Sequence, residues 1–494
     1  MVEKQNRLIS LLFPRLQDIL FLSLMAVVIL YGPRMFNQDG DLGRHITVGN
    51  YILESRSIPL SDIFSHTLTG APLVPHEWIA QVLLALAYRL LGLDGDVLLA
   101  AVIIASTFLL AYRETVRRGT SRLAGLLAVL LAAAASSLHW LARPHIFTFL
   151  LLALWTYRLE SFREGRTRRL WVFPLMMWLW ANTHGAFIAG FVMLGIYFVE
   201  WAWEFGHKRQ PEAPGLQMLM IGMASLLATL LNPAGWRLWA TSLGYIGNNY
   251  LVSHTQEYLP PDFHHPVTWP FLLLLGLGLF ALAGGKPLRL RHALTLALWA
   301  VMGLYSARNI PLFAILSAPI YGGLLQAQVR RIRSLARLER GLAHIESQLK
   351  GFVWPALGVL AAALLFSQHV PLDLTRGGNS FDPQVFPVAA ADWLEAHPQE
   401  GNGFNYFTWG GYLLLRGWPE QKVFIDGQTD FYGEALTREY EKIISAGPGW
   451  QALLDKYKVT WAILPPQEAL SPALEAAGWQ PVYWDETAVI YAER

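Results

Sequence analysis

The chain has 494 residues, 54% of them hydrophobic and 15% charged, with a formal net charge of +2. That balance excludes an ordinary soluble domain, points to a polytopic membrane protein and leaves no electrostatic footprint for nucleic acid. The absence of cysteine removes disulfides, thiolate metal sites and a cysteine nucleophile together.

The first apolar run, near 17–35, contains LFLSLMAVVILYG. It lacks a small-residue cleavage site and reads as an uncleaved first span. Behind it stand Asp39 and Asp41 in NQDGDLGRH, with Gly40 expected to turn the backbone tightly between the two carboxylates. Helical spacing follows, with Ile46, Gly49, Ile52 and Leu53 on one side and Arg44, Thr47 and Glu54 on the other. HEWIAQVLLALAYRLLG, at 76–92, reads as a second helix lying along the membrane surface, with Arg89 snorkelling.

A span takes about 20 residues, with a range of roughly 17–25. Further spans are expected near 96–112, 123–141, 146–161, 170–183, 186–203, 216–232, 268–284, 292–307, 310–328 and 352–368. Eleven crossings with a cytoplasmic N-terminus put every basic loop cluster inside: Arg113 to Arg122, Arg163 to Arg169, Lys208 and Arg209, Lys286 to Arg291, and Arg330 to Arg340. Residues 1–368 are then an all-α membrane domain whose first external loop, 36–95, holds two surface helices. Residues 369–494 form a small extracytoplasmic α/β domain. In it FPVAAADWLEAH, EALTREYEKIISA and GWQALLDKYK read as helices. GNGFNYF, KVFIDGQ, WAILPP and a hairpin across Asp485 and Glu486 read as strands.

This topology gathers one set of polar residues on the outer face. It comprises Asp39, Asp41, Asp62, His76, Glu77, Arg143, His145, Asn182, His184, Asn232, Glu257, Asp262, Arg308 and Asn309. Ionisable groups at membrane depth mark pathways and sites. Carboxylates there act as general bases or bind a divalent cation such as Mg or Mn, for which Asp39 and Asp41 are the candidates. Arg143, His145, His184 and Arg308 suit a donor phosphate. His76, Glu77, Asp62, Asn182 and Glu257 suit the substrate or acceptor.

A first span followed by an acidic residue and a helix carrying Asp41, Arg44, His45, Gly49, Ile52, Leu53, Glu54 and Ser55 resembles the C-type (GT-C) membrane glycosyltransferases. PLVPHEW at 72–78 looks like the element that opens the second surface helix in that superfamily. Trp409, Gly410, Gly411 and Tyr412 correspond loosely to the W-W-D-Y-G segment of oligosaccharyltransferases, whose Asp is absent here. With its DGD, HEW, ARPH, NTHG, NPAGW and WGGYL signals the whole chain also looks like a group of bacterial predicted GT-C membrane proteins. The resemblance implies a polyprenyl-phosphate-linked sugar donor, an essential first-loop carboxylate at Asp41 and an acceptor lipid, glycan or protein, met partly by Trp409 and Tyr412. Many relatives carry Asp-Glu where this chain has Asp41-Leu42, so either Asp39 or Asp41 is the base. A lipid or solute transporter and an inactive GT-C scaffold subunit are the competing readings.

Overall fold

The computed structural model describes residues 13–207, 214–283, 288–349 and 353–493. Lys208, Arg209 and Lys286 of the basic clusters lie outside the described residues.

A helix stands at each of the eleven apolar segments. They are α1 (Leu16–Leu30), α4 (Leu93–Arg117), α5 (Arg122–Ser136), α6 (His145–Arg163), α7 (Val172–Ala181), α8 (Ile188–Gly206), α9 (Gly215–Thr229), α10 (Trp269–Ala283), α11 (Leu290–Tyr305), α12 (Ile310–Arg331) and α14 (Trp354–Ser367). Among the described residues four helical stretches are long and apolar enough to cross a membrane: Leu93–Arg117, Arg122–His139, Gly185–Gly206 and Ala307–Arg331. The basic segment after α12, read from sequence as a loop, forms helix α13 (Arg333–Gln348). Its Glu339 accepts from the backbone N–H groups of Arg122 and Leu123 at the start of α5.

A charged network ties four of these helices together. Arg291 of α11 donates two hydrogen bonds to Glu160 of α6, each 3.0 Å, and one to Glu200 of α8 at 2.5 Å. Arg118, which follows α4, reaches Glu160 at 3.0 Å, and Arg163 reaches Glu200 at 3.4 Å. Pairing offsets the desolvation cost that isolated buried charges would carry.

The first loop carries α2 (Leu42–Ser55) and α3 (Trp78–Leu91). One expectation about them is corrected. Of the side of α2 read as polar, Arg44 and Thr47 are as buried as Ile46 and Gly49, because the C-terminal part covers them, while Glu54 stays exposed. Arg89 belongs to α3 and is partly exposed. Its guanidinium turns back to α2, donating to Asn50 Oδ1 at 2.6 Å and pairing with Glu54. The two helices meet at Gly49, where a Cβ would overlap the Gln81 carbonyl.

The C-terminal part is built on four strands, β1 (Asn402–Asn405), β2 (Val459–Leu464), β3 (Gln480–Trp484) and β4 (Val489–Ala492), in the order β1-β2-β4-β3. β1 and β2 run parallel, and β4 is antiparallel to both of its neighbours. Helices α15 (Val388–Ala396), α16 (Gly410–Gly417), α17 (Thr429–Ile444), α18 (Trp450–Lys456) and α19 (Leu470–Ala476) surround them. KVFIDGQ, expected as a strand, stays outside this sheet. Its backbone is taken by other partners: Val423 exchanges hydrogen bonds with Phe64 and His66 of the first loop, and the Phe424 N–H donates to the Asn405 side chain. The segment therefore joins the tail to the first loop.

Candidate active site

The acid pair sits at the entrance to α2. Asp41 precedes the helix, yet its side chain caps no backbone N–H, although Asp is among the favoured capping residues. The carboxylate is aimed elsewhere. Arg143 lies 2.9 Å from Asp41 Oδ2 and 2.6 Å from Asp39 Oδ2, spanning both acids. Asp39 also accepts the Asp41 backbone N–H at 3.0 Å. Arg143 comes from the turn ahead of α6, so the first loop and the bundle meet at this guanidinium.

The backbone bends at Gly40 as expected, without a positive φ. Its missing side chain also serves close approach: a Cβ there would overlap the Thr408 carbonyl. Gly43 and Gly411 meet in the same way, and a Cβ on Gly427 would overlap Asp41 Oδ1. The glycines of DGD, WGGYL and IDGQTD thus form one seam along which the C-terminal backbone lies on the acidic loop. The seam is pinned by Arg44, which donates to Asp426 at 2.5 Å and to Gln428, while Tyr432 donates to the same Asp426 oxygen at 3.0 Å.

Behind the acid pair a second layer alternates in charge. Glu257 lies 3.7 Å from Arg143 and 2.7 Å from Arg308, and His139 Nε2 lies 3.1 Å from its other oxygen. Arg308 also donates to the Tyr258 hydroxyl at 2.8 Å and to His184 Nε2 at 3.1 Å. His184 in turn contacts Thr148 at 2.9 Å. His145 bonds to the His139 carbonyl at 2.8 Å, placing its ring beside those of His139 and His184.

Electrostatics separate the roles. Burial first, then the charge of Asp39, push Asp41 up to about 7 against the pull of Arg143. Burial opposes the charge of Glu257, but Arg308 and Arg143 hold it well below the ordinary carboxylate range. Burial and the Arg308 charge keep His184 well below the ordinary imidazole range, and so neutral. A carboxylate poised near neutrality beside permanently charged neighbours is the pattern of a general base.

Other expected residues stand apart. Asp62 accepts from the backbone of Phe64 and the hydroxyl of Ser65, holding its own loop. Asn182 accepts from Trp78 at 2.7 Å and Asn232 at 3.0 Å, fixing the start of α3 against the bundle. Trp409 donates to the Val385 carbonyl, Tyr412 accepts from Arg416, and both rings lie in the C-terminal core. Asp262 binds the His264 backbone and Asn309 the Met302 carbonyl. His76 and Glu77 lie nearer the site, 3.8 Å from each other, with Asp430 3.9 Å from His76. Reading the sequence missed His139, Tyr258, Gly427 and Asp430. Of these only His139, four residues before Arg143, carried a signal in its position.

Among the described residues no three His, Asp or Glu side chains converge as a metal site. Asp39 and Asp41, the pair considered for a divalent cation, are already spanned by Arg143, so a cation there would have to displace that guanidinium.

No protein-family model and no curated protein matches the sequence. Solved structures do. The oligosaccharyltransferase of Archaeoglobus fulgidus in its apo form superimposes with a TM-score of 0.59 over 97% of this chain and 74% of its own, at 13% identity. The same organism's AglB, solved with an inhibitory peptide and a dolichol-phosphate, gives 0.59 over 90% and 68%, also at 13% identity. ArnT from Cupriavidus metallidurans gives 0.53 over 96% and 97%, at 14% identity. The chain has the GT-C fold. With its apolar helices it is a membrane protein, and the acid pair stands in a GT-C framework.

Proposed function

We propose that this protein is an integral membrane glycosyltransferase that moves a sugar from a polyprenyl-phosphate-linked donor to an acceptor hydroxyl on the extracytoplasmic face. The observation that carries this reading is the Asp39–Arg143–Asp41 bridge within a GT-C fold, with Arg308 and His184 behind it. In this reading Asp41 is the base. It takes the acceptor proton, the acceptor oxygen attacks the anomeric carbon, and the bond from that carbon to the phosphate oxygen breaks with inversion. The electron pair leaves on the polyprenyl phosphate. Arg143 and Arg308 receive that charge, after the donor phosphate has taken them over from Glu257.

The membrane layout belongs to the same reading. Eleven helices cross, the N-terminus is cytoplasmic, the first external loop spans 36–95 and residues 369–494 form an external domain. The outward ends of α1, α6 and α7 then bring Asp39, Arg143 and His184 to one level, and the Lys/Arg clusters stand at the opposite ends.

The test is transfer by the purified chain in lipid nanodiscs, using undecaprenyl-phosphate-linked hexoses and pentoses with a panel of glycolipid, glycan and peptide acceptors. Radiolabel must move from donor to acceptor with wild type and not with Asp41→Asn. A chain that transfers nothing from any donor, yet binds polyprenyl phosphate, refutes the enzyme reading and leaves a scaffold.

A further inference from the structure

Helix α13 lies across the ends of apolar helices and carries three kinds of side chain on different sides. Its acids are engaged with the protein. Glu339 accepts the Arg122 and Leu123 backbone N–H groups, at 2.9 Å each, at the start of α5. Glu346 accepts the Leu16 N–H at 2.5 Å, at the start of α1, and pairs with Arg122. Carboxylates are favoured at helix N-termini, where backbone N–H groups lack partners within the helix. These contacts hold α13 level with the ends of two apolar helices. The chain reaches it from α12, which ends at Arg331, and returns to the bundle through α14.

The other sides of α13 have no such partners. Arg333, Arg337 and Arg340 recur at helical spacing on one side and are exposed, as are Arg330 and Arg331 just before the helix. None of these five makes a hydrogen bond or ion pair among the described residues. Between the acids and the arginines runs an apolar strip. Its Leu338 and Ile345 are 50% and 55% exposed.

Water against the strip is unfavourable, and adjacent guanidiniums repel one another. A bilayer surface relieves both. Acyl chains cover the apolar stripe of a helix lying in the interface, and anionic headgroups attract the basic residues beside it. Arginine suits phosphate through its parallel N–H donors. The glutamates hold α13 where apolar helices end, so lipid headgroups are the anions already at its depth.

We propose that α13 is a docking surface for anionic phospholipid headgroups, with Arg333, Arg337 and Arg340 binding phosphate and Leu338 and Ile345 set among the acyl chains. Its place on the cytoplasmic leaflet rests on the membrane layout proposed above. The contact itself does not rest on the glycosyltransferase reading.

The experiment puts a fluorophore on a single cysteine at Ser334 of the full chain in phosphatidylcholine nanodiscs. The chain has no other cysteine, and Ser334 is exposed between the arginines and the apolar strip. The quenchers are traces of phosphatidylglycerol or phosphatidylcholine carrying a nitroxide high on one acyl chain. Spin-labelled phosphatidylglycerol is expected to quench about fivefold or more better than spin-labelled phosphatidylcholine. Arg337→Gln with Arg340→Gln should cut that ratio about threefold or more at unchanged melting temperature, whereas Arg337→Lys with Arg340→Lys should keep it. Raising the salt concentration should weaken the wild-type preference as well. Equal quenching by the two lipids, or a ratio untouched by both the glutamine pair and salt, overturns the proposal. A ratio abolished by millimolar inorganic phosphate also overturns it and makes the arginines a soluble-anion site. No quenching by either lipid overturns it and leaves the face to a protein partner. Sugar transfer enters none of these readouts and nanodiscs expose both faces, so the result is independent of the enzyme reading and of the orientation.

Discussion

The carboxylate of Asp41 occupies the place where a side chain on Gly427 would begin. These residues are 386 positions apart, one beside the first span and the other in the C-terminal part, so the orientation of the acid is set by the tail. Gly427→Ala is expected to push Asp41 off the line shared with Arg143. Transfer should fall towards the 10²- to 10⁴-fold loss typical of removing a general base. A Gly427→Ala protein with wild-type turnover would show that the contact does not orient the acid.

The raised pKa of Asp41 gives a pH dependence with a definite sign. A base must be ionised, so kcat/KM should climb with pH and level off above about 7. A profile flat between pH 5.5 and 8 would remove Asp41 from that role.

The same shift bears on stability in the opposite direction. The folded state holds the Asp41 proton up to about 7, against an ordinary 3.8. Between those values the folded chain binds more protons than the unfolded one, so stability falls as pH rises. Asp41→Asn cannot ionise. It should melt above wild type at pH 8, by roughly 1 °C for every kcal/mol released, with the difference closing towards pH 4. Thermal unfolding of both proteins across that range is the measurement, and a difference independent of pH contradicts it.

Arg44 and Asp426 form a buried ion pair across the seam, at 3% and 0% exposure. Removing one partner strands the other, a cost of about 3–5 kcal/mol. Arg44→Met and Asp426→Leu should each loosen the C-terminal part, read as faster proteolysis between 369 and 386. The double substitution should recover much of the loss. Equal resistance in all four proteins would mean that the seam is held by its glycine contacts alone.

The cysteine-free sequence makes the membrane layout directly measurable. A cysteine at Glu420 should react with an impermeant thiol reagent added outside intact cells, and one at Arg166 only after lysis. The reverse pattern inverts the proposed orientation.

The apolar helices were legible because hydropathy over a span is a local property, and a helix stands at every expected segment. The acid pair and Arg143 were legible because each sits at the end of such a segment. What the sequence hid was reciprocal burial. Arg44 looked solvated, since spacing along one helix says nothing of a partner nearly 400 residues away. KVFIDGQ looked like a sheet strand, since a buried apolar run reads the same whether its backbone pairs with a sheet or with a distant loop. Gly40 was legible as a bend between two carboxylates, but its contact with Thr408 was not, since nothing local announces so distant a partner.

The charged network at Glu160 and Glu200 implies an order of assembly during synthesis. Glu160 meets Arg118, made 42 residues earlier, and Glu200 meets Arg163, made 37 earlier. Each carboxylate therefore emerges to find a guanidinium already waiting in the nascent bundle. Arg291 arrives 131 residues after Glu160, a delay on the order of ten seconds at usual elongation rates. It joins two helix pairs that are already charge-compensated. The ribosome thus delivers its clasp last.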